Sequence, residues 1–276
     1  MIRWFTTLAA LVLLMPLPTP ALAQESDAEW LDDCEDWKDW GSRARHCEVR
    51  HVGMKAAAGR PLTVDPGMNG GVEIVGWDRD SIAVTARIQA SARSRADAEA
   101  MARDIKIEVS DGAVRATGGR GPFGRNQHWG VSFVVMVPRR TDLTLSTHNG
   151  PISVDDVTGK MDLSTQNGPL TLTAVAGDVH ARAQNGPLSI QLMGARWDGT
   201  GLDAETRNGP ADLWIPENYN AKIEFGTVNG PMDVGFPMTV TLSGRIRDRI
   251  NTTLGSGGPP IRVVTTNGPM TVRRSR

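Results

Sequence analysis

The sequence predicts an all-β protein. The fold class is a β-solenoid, or β-helix, of about 18–23-residue coils with Asn-Gly-Pro corners, preceded by a β-rich capping region with one short helix. Three observations lead to this prediction. Asn-Gly-Pro occurs six times, the residues around it alternate between apolar and polar, and 30 glycines and 17 prolines accompany only 5 % aromatic residues. The copies begin at Asn149, Asn167, Asn185, Asn208, Asn229 and Asn267, at intervals of 18, 18, 23, 21 and 38 residues.

Residues 1–23 have the pattern of a secretory signal peptide. Arg3 supplies the positive charge, residues 8–14 form a short apolar core, and Ala21-Leu22-Ala23 provides the small residues for cleavage before Gln24. No later apolar run approaches the roughly 18 residues of a membrane-spanning helix, so we expect no transmembrane segment in the mature chain. The expected location is the periplasm, the cell surface or the extracellular space.

Residues 24–48 form an acidic, Trp-rich leader that contains Cys34 and Cys47, the only two cysteines of the sequence. Two cysteines in an exported chain predict a disulfide, which closes a small loop and contributes roughly 3 kcal/mol. A metal site is the alternative, but the single neighbouring histidine, His46, completes no known zinc pattern.

The tryptophans of the leader are spaced for a helix. Trp30, Cys34 and Trp37 would lie on one face of a short amphipathic helix, and Trp40 follows one turn later. This face is either an aromatic platform for sugar rings or a surface that packs against the end of the repeat. Because tryptophans at helical spacing usually belong to a core, the pattern favours packing.

Residues 49–138 form the predicted β-rich region. Alternating apolar residues predict several strands, and a helix is expected at about 94–104 with Ser94 as its N-cap. Asp111-Gly112 predicts a hairpin turn. The glycine-rich segment 118–126 lacks the Lys-Ser/Thr pair and the strand-to-helix context of a phosphate-binding loop, so it is interpreted as an ordinary loop.

Residues 139–276 contain the repeat, whose columns become clear when the copies are aligned on asparagine. The positions six and four before it and three and five after it are apolar, threonine dominates two before it, and the columns between are mostly polar. Each coil is therefore two strands with one buried face. Asn and Gly accept a positive φ and Pro fixes φ, which suits a corner, and stacked Asn side chains are expected to form a ladder, with threonines pointing inward. The corner residues are Asn149, Gly150, Pro151, Asn167, Gly168, Pro169, Asn185, Gly186, Pro187, Asn208, Gly209, Pro210, Asn229, Gly230, Pro231, Asn267, Gly268 and Pro269.

The end of the repeat is irregular. The 38-residue interval before Asn267 is close to two periods and predicts one coil that has lost its asparagine. The basic stretch 273–276 is expected to cap the last edge, because charged edges discourage further strand addition.

These columns, together with the run Asn69–Trp77 and the strand from Trp129 to Pro138, resemble a bacterial putative-adhesin domain family. That family is an exported β-helical domain of unknown function with Asn-Gly repeats, and the resemblance covers roughly residues 49–272. It implies an exported β-solenoid with a role at the cell surface, and it implies no catalytic residues.

Two functions remain open. The first is an exported, non-catalytic, adhesin-like β-solenoid that binds or scaffolds at the cell envelope. The alternative is a glycan-active β-helix enzyme, a lyase or hydrolase, which would need carboxylates clustered on one face. Three of the candidates share one column and would lie about one coil apart. The candidates are Asp155, Asp156, Asp162, Asp178, His180 and Asp203.

Composition and motifs exclude several classes of function. A net charge of −1 and the lack of a basic patch with interleaved aromatics argue against nucleic-acid binding. The calcium-binding nonapeptide and the hydrolase elbow motif are missing. We therefore predict no enzyme activity, no catalytic, cofactor-binding or metal-binding residue and no cofactor. The expected partner is an envelope protein or glycan.

Overall fold

The structure is a computed structural model that describes residues 26–36, 43–56, 59–110, 112–118, 127–235 and 249–275. Several predictions fall on the other residues. The signal peptide, Trp37, Trp40, Asp111 and most of the glycine-rich segment 118–126 lie outside the described part of the chain.

Strands dominate the described residues, with two short helices, α1 (Asp27–Asp36) and α2 (Arg95–Asp104). Helix α2 begins after Ser94, whose side chain accepts a hydrogen bond from the backbone N–H of Asp97 at 3.1 Å, as an N-cap does. The strands are β1 (Ala44–Lys55), β2 (Leu62–Asp65), β3 (Val72–Trp77), β4 (Ser81–Ala92), β5 (Lys106–Ser110), β6 (Ala113–Thr117), β7 (His128–Pro138), β8 (Leu143–Asn149), β9 (Ile152–Asp155), β10 (Thr158–Asn167), β11 (Leu170–Thr173), β12 (Ala176–Asn185), β13 (Leu188–Gln191), β14 (Gly201–Asn208), β15 (Ala211–Ile215), β16 (Ala221–Asn229), β17 (Met232–Gly235), β18 (Arg249–Leu254), β19 (Pro260–Asn267) and β20 (Met270–Arg274).

The strands form two ten-stranded mixed sheets. The first sheet has the order β1-β4-β7-β3-β9-β11-β13-β15-β20-β17, and the second has the order β18-β16-β19-β14-β12-β10-β8-β2-β6-β5. Each Asn-Gly-Pro corner joins a strand of the second sheet to a strand of the first. The inward residues of both sheets form one hydrophobic core, as the alternating pattern requires.

The repeat strands lie parallel and in register. Leu143, Met161, Val179 and Leu202 are partners on successive strands of the second sheet, and all four are buried. Residues that share a column in the sequence therefore lie side by side, and the polar columns between them point to solvent.

The corners are held by an asparagine ladder. The side-chain Nδ2 of Asn167 donates to Oδ1 of Asn149 at 2.9 Å, and that of Asn185 donates to Asn167 at 2.8 Å. The ladder extends from Asn69 through all six repeat asparagines, and each amide donates in the same direction. A Cβ on Gly168 would overlap the carbonyl oxygen of Gly150, so the close stacking of the corners requires glycine there.

The inward threonines complete the corners. Thr165 and Thr206 are buried, and their hydroxyls donate to glycine carbonyl oxygens of a neighbouring corner at 3.1 and 2.8 Å. The threonines point inward, as the sequence indicated, but they hydrogen-bond to the backbone and not to each other. These bonds satisfy carbonyl groups that would otherwise be buried without a partner.

The predicted β-solenoid is wrong, although the chain is all-β. A solenoid stacks its coils in the order of the sequence, whereas here β19 lies between β14 and β16, and β20 lies between β15 and β17. The two sheets are also mixed, because β1, β4 and β7 are antiparallel neighbours and β18 pairs antiparallel with β16. The early strands do not form a cap, since β1 to β7 belong to the same two sheets as the repeat. The predicted domain boundaries stay predictions.

The end of the repeat is only partly described. The predicted coil without its asparagine stays a prediction, because residues 236–248 lie outside the described part of the chain. In the described part of the interval, β18 pairs antiparallel with β16 on one side, and β19 lies parallel to β16 on the other. The expected role of the basic stretch is wrong. The basic stretch from Arg273 caps no edge, because β20 has a partner strand on both sides. The alternating pattern specifies how a repeat strand aligns with a neighbouring strand, but it does not specify which strand that neighbour is. Any repeat strand could therefore pair with any other in the same register.

The leader helix packs on the first sheet. A disulfide joins Cys34 of α1 to Cys47 of β1, which is the predicted pair. The Asp27 carboxylate lies 3.2 Å from Nε2 of His51, and the guanidinium of Arg87 lies 5.7 Å from the ring centroid of Trp30. Trp30 is half-buried by this contact, so α1 lies against β1 and β4.

Candidate binding groove

A groove of about 740 Å³ crosses the outward face of the second sheet beside the asparagine ladder. It extends over five neighbouring strands, β8, β10, β12, β14 and β19. The inward residues of these strands fill the core, so the period of two leaves their polar columns to form the surface. Adjacent strands are about 4.8 Å apart, which makes the groove roughly 20 Å long.

Two rows of side chains line the groove, and we call them the upper and lower rows. The upper row precedes each asparagine by one residue, and the lower row precedes it by three. The upper row is His148, Gln166, Gln184, Arg207 and Thr266, and the lower row is Ser146, Ser164, Arg182, Glu205 and Val264. The sequence aligned these columns but could not show that they form a groove.

Ion pairs hold the charged side chains from the middle strand of the groove, β12, to its last strand, β19. Arg182 Nε lies 3.1 Å from Glu205, and Arg262 lies 2.5 Å from Asp203 and 3.3 Å from Glu205. Burial alone would lower the pKa of the Arg262 guanidinium, but the hydrogen bonds and charges of Asp203 and Glu205 outweigh burial and raise that pKa. Arg262 is therefore a permanent cation at the rim.

Arg207 differs from these side chains because it is exposed and forms no ion pair with any residue that the structure describes. It stands in the upper row after two glutamines, whose amides can donate and accept hydrogen bonds. The groove thus offers amides, hydroxyls and one unneutralised guanidinium. Those groups suit a ligand rich in hydroxyl or carboxylate oxygens.

The column of predicted carboxylates lies next to the groove. Asp162, His180 and Asp203 are register partners on β10, β12 and β14. Asp203 forms an ion pair with Arg262, and His180 lies 3.5 Å from Asp178. Asp178 therefore joins the three register partners in one cluster. Four of the six candidates therefore lie together.

The other two candidates, Asp155 and Asp156, lie at the end of β9 in the first sheet. Asp156 forms an ion pair with Arg139, and Arg139 also contacts Asp78 at 2.7 Å. Burial raises the pKa of the Asp155 carboxyl, and the positive charge of Arg139 only partly opposes this. The structure therefore does not bring all six candidates to one site.

Among the described residues, no group of three or more His, Cys, Asp or Glu side chains is arranged to hold a metal ion. The described helices include none that is long and apolar enough to cross a membrane.

Sequence reasoning missed the contributions of Arg249 and Arg262 to the groove. In chain order Asp203 is followed in its column by Glu224, which would place two carboxylates side by side. The insertion of β19 puts Arg262 between them, 2.5 Å from Asp203 and 3.7 Å from Glu224. Like charges directly opposite each other destabilise a sheet. The placement of Asp203 beside Glu224 in chain order was therefore a sign in the sequence that the strands are ordered differently in space.

Comparison with known proteins gives one family match. The family model of Toastrack DUF4097 matches residues 81–273, in agreement with the resemblance seen in the sequence. No curated protein sequence matches the chain.

Solved structures similar to this chain include a putative cell adhesion protein from Clostridium sporogenes, with 13 % identity over 83 % of this chain and 100 % of that chain and a TM-score of 0.45. A putative adhesin from Bacteroides fragilis has 12 % identity over 83 % and 97 % of the two chains, with a TM-score of 0.30. A putative lipid binding protein from Parabacteroides distasonis has 9 % identity over 82 % and 96 %, with a TM-score of 0.28.

Proposed function

The chain belongs to the Toastrack DUF4097 family, and from this premise we propose that it is an exported, non-catalytic adhesin-type protein that binds a polymer of the cell envelope in the groove of its second sheet. The observation that carries the proposal is the groove itself. It presents two rows of side chains at the strand spacing, next to a rigid core, and every member except Val264 is polar. Rigid positioning of binding groups reduces the entropy lost when a ligand binds.

The dimensions of the groove favour an extended ligand over a small molecule. Its roughly 20 Å length follows from five strands at about 4.8 Å, and both rows repeat along that axis. A polymer laid across the strands would meet a hydrogen-bonding side chain at each step. Many weak contacts of this kind suit adhesion, because their free energies add along the chain.

The chemistry of the rows favours a glycan. Gln166, Gln184 and the serine hydroxyls of the lower row can donate and accept, which matches the hydroxyl and amide groups of envelope polysaccharides. Arg207 adds one cation for acidic substituents on the polymer.

A non-catalytic role is supported by the state of the neighbouring carboxylates. Asp203 is engaged by Arg262, and the remaining candidates divide between two sheets. A glycosidase needs two carboxyl groups that flank one scissile bond, so we propose no second, enzymatic function.

Export is supported by two features that are independent of the groove. The sequence of residues 1–23 has a pattern typical of secretory signal peptides, and the Cys34–Cys47 disulfide suits an oxidising compartment. The proposed location is the periplasm, the cell surface or the extracellular space.

The experiment is co-sedimentation of the purified chain with insoluble envelope polysaccharides, peptidoglycan sacculi among them. We expect at least one of them to retain the chain, and an Arg182→Ala/Arg207→Ala variant to bind about tenfold less tightly, since a charge-assisted hydrogen bond contributes about 1.5–3 kcal/mol. Lys106→Ala is the matched control, because Lys106 is an exposed cation of the same sheet on the distant edge strand β5.

If the double variant is retained as well as the unchanged chain, the ligand does not bind in the groove. If none of the polysaccharides retains the unchanged chain, the proposed ligand class is wrong. Reducing ends measured in the supernatant test catalysis. The proposal expects none to be released, whereas steady release would favour the glycan-active alternative.

A further inference from the structure

Trp214 is an exception to the pattern of the repeat. It lies on β15, where Ala211, Leu213 and Ile215 are buried, so the alternation directs Trp214 to the outward face of the first sheet. It is half-exposed there. The other aromatic residues that the structure describes in the repeat are buried, and these are Trp197, Tyr219 and Phe225. Tryptophan is enriched at binding interfaces, so a ring on a polar face is a candidate recognition group.

The neighbours of Trp214 are polar and are set by the register of the strands. Gln191 on β13 and Arg273 on β20 are its direct partners, and Thr173 on β11 continues the row. A cavity of about 580 Å³ opens over this row, and Thr171, Ser189, Arg274 and Ser275 complete its polar lining. A cavity of this size is in the range of small-ligand sites.

Two binding groups of this cavity are unengaged. No hydrogen bond from Trp214 Nε1 occurs among the described residues, whereas the Nε1 of Trp197 donates to a backbone carbonyl at 2.9 Å. Arg273 forms no ion pair within the described residues, whereas the adjacent Arg274 lies 3.3 Å from Glu217. The site therefore combines an aromatic face, a free indole donor and a free guanidinium.

We propose that this cavity binds a carboxylated sugar residue of the uronic-acid type. A pyranose ring has a face of C–H groups that can stack on the indole of Trp214, and its hydroxyls can pair with Gln191 and with the hydroxyls of Thr171 and Ser189. Arg273 pairs with the sugar carboxylate, because a guanidinium and a carboxylate form two parallel hydrogen bonds. A nucleotide would also use an aromatic ring and a cation, but it would leave most of the hydroxyl-bearing lining unused.

This site is separate from the groove of the second sheet. The inward faces of the two sheets share one core, so their outward faces lie on opposite sides of the protein. The inference goes beyond the proposed groove function, and either can fail without the other.

Isothermal titration calorimetry of the purified chain tests the site. The probes are oligogalacturonate, oligoglucuronate, a neutral glucose oligomer and AMP. We expect at least one uronate to bind at least tenfold more tightly than the neutral oligomer, about 1.4 kcal/mol. Arg273→Gln removes this preference, Trp214→Ala weakens uronate binding about tenfold, and Trp214→Phe keeps most of the affinity because it retains a stacking ring.

Lys106→Gln is the control, since Lys106 is an exposed cation on the distant edge strand β5 of the second sheet. It should leave both the uronate affinity and the uronate preference unchanged. The proposal is overturned if no uronate binds, if the neutral oligomer binds as tightly as the uronates, or if AMP binds more tightly than they do. It is also overturned if a folded Trp214→Ala chain keeps its full uronate affinity. If Trp214→Ala does not fold, Arg273→Gln decides: an unchanged uronate preference overturns the proposal.

Discussion

Replacing Arg262 with glutamine should lower the free energy of unfolding by about 1–2 kcal/mol. Arg262 lies 2.5 Å from Asp203, 3.3 Å from Glu205 and 3.7 Å from Glu224, and its side chain is 28 % exposed. A single exposed ion pair contributes about 0.2–1 kcal/mol to the free energy of unfolding. Arg262 makes three such pairs and is partly buried, so the loss of all three accounts for the expected decrease. The variant also leaves three carboxylates beside one another, and like charges in neighbouring positions destabilise a sheet.

Arg262→Glu should cost more than Arg262→Gln, by about 1 kcal/mol or more, because it adds a fourth negative charge to the cluster. Arg182→Gln is the matched control. Arg182 has one carboxylate partner at 3.1 Å and is 60 % exposed, so its loss should cost about 0.5 kcal/mol or less.

Urea unfolding of the three variants measures these differences, at low salt and in 1 M NaCl. The Debye length at 1 M is about 3 Å, so the cost of Arg262→Gln should shrink there. The reasoning is refuted if Arg262→Gln costs no more than Arg182→Gln, or if Arg262→Glu is the milder of the two changes at position 262. Either result would mean that Arg262 does not lie between Asp203 and Glu224.

Three further predictions concern the corners, the first sheet and the leader. Asn185→Ala should cost about 1 kcal/mol more in urea unfolding than Asn229→Ala, because Asn185 makes two ladder hydrogen bonds and Asn229 makes one; equal costs would contradict a continuous ladder. Burial raises the pKa of the Asp155 carboxyl, so folding favours its protonated form. Once the pH rises above the pKa that Asp155 has in the unfolded chain, its ionisation lowers the stability of the folded protein. Asp155→Asn should therefore stabilise the protein at pH 7 relative to pH 3 in paired thermal melts, and a loss at pH 7 would refute this. Replacing both cysteines of the Cys34–Cys47 disulfide with serine should cost roughly 3 kcal/mol in thermal or urea unfolding, and no change would show that the bridge does not restrain the unfolded chain.

Local structure in the repeat was predictable because it depends on neighbouring residues. Alternating apolar columns specify strands with one buried face, and Asn-Gly-Pro specifies a corner, so the inward positions of Leu163 and Thr165 follow from the sequence. The pairing of Cys34 with Cys47 was predictable because they are the only two cysteines of the sequence.

The order of the strands was not predictable from periodicity. Every repeat strand presents the same register, so the strand ending at Asn267 fits as well between those ending at Asn208 and Asn229 as after them. The charge column held the relevant information, since chain order puts Asp203 beside Glu224 and spatial order puts Arg262 between them.

The binding sites depend on that nonlocal order. The groove contains Thr266 and Val264 next to Arg207 and Glu205 only because β19 lies beside β14 in the sheet. In the same way, Arg273 lies beside Trp214 only because β20 is the sheet neighbour of β15. The alignment predicted mostly polar columns between the apolar ones, but which side chains lie beside one another depends on the topology.

The central claim is that the outward rows of the second sheet hold an envelope polymer, and site-specific photo-crosslinking tests it most directly. A benzophenone amino acid at Gln184 should form covalent adducts with the retained polysaccharide, because Gln184 lies in the middle of the upper row. The same group at Lys106, on the distant strand β5, should form none. Adducts at Lys106 equal to those at Gln184, or adducts at neither position while the chain is retained, would contradict the account.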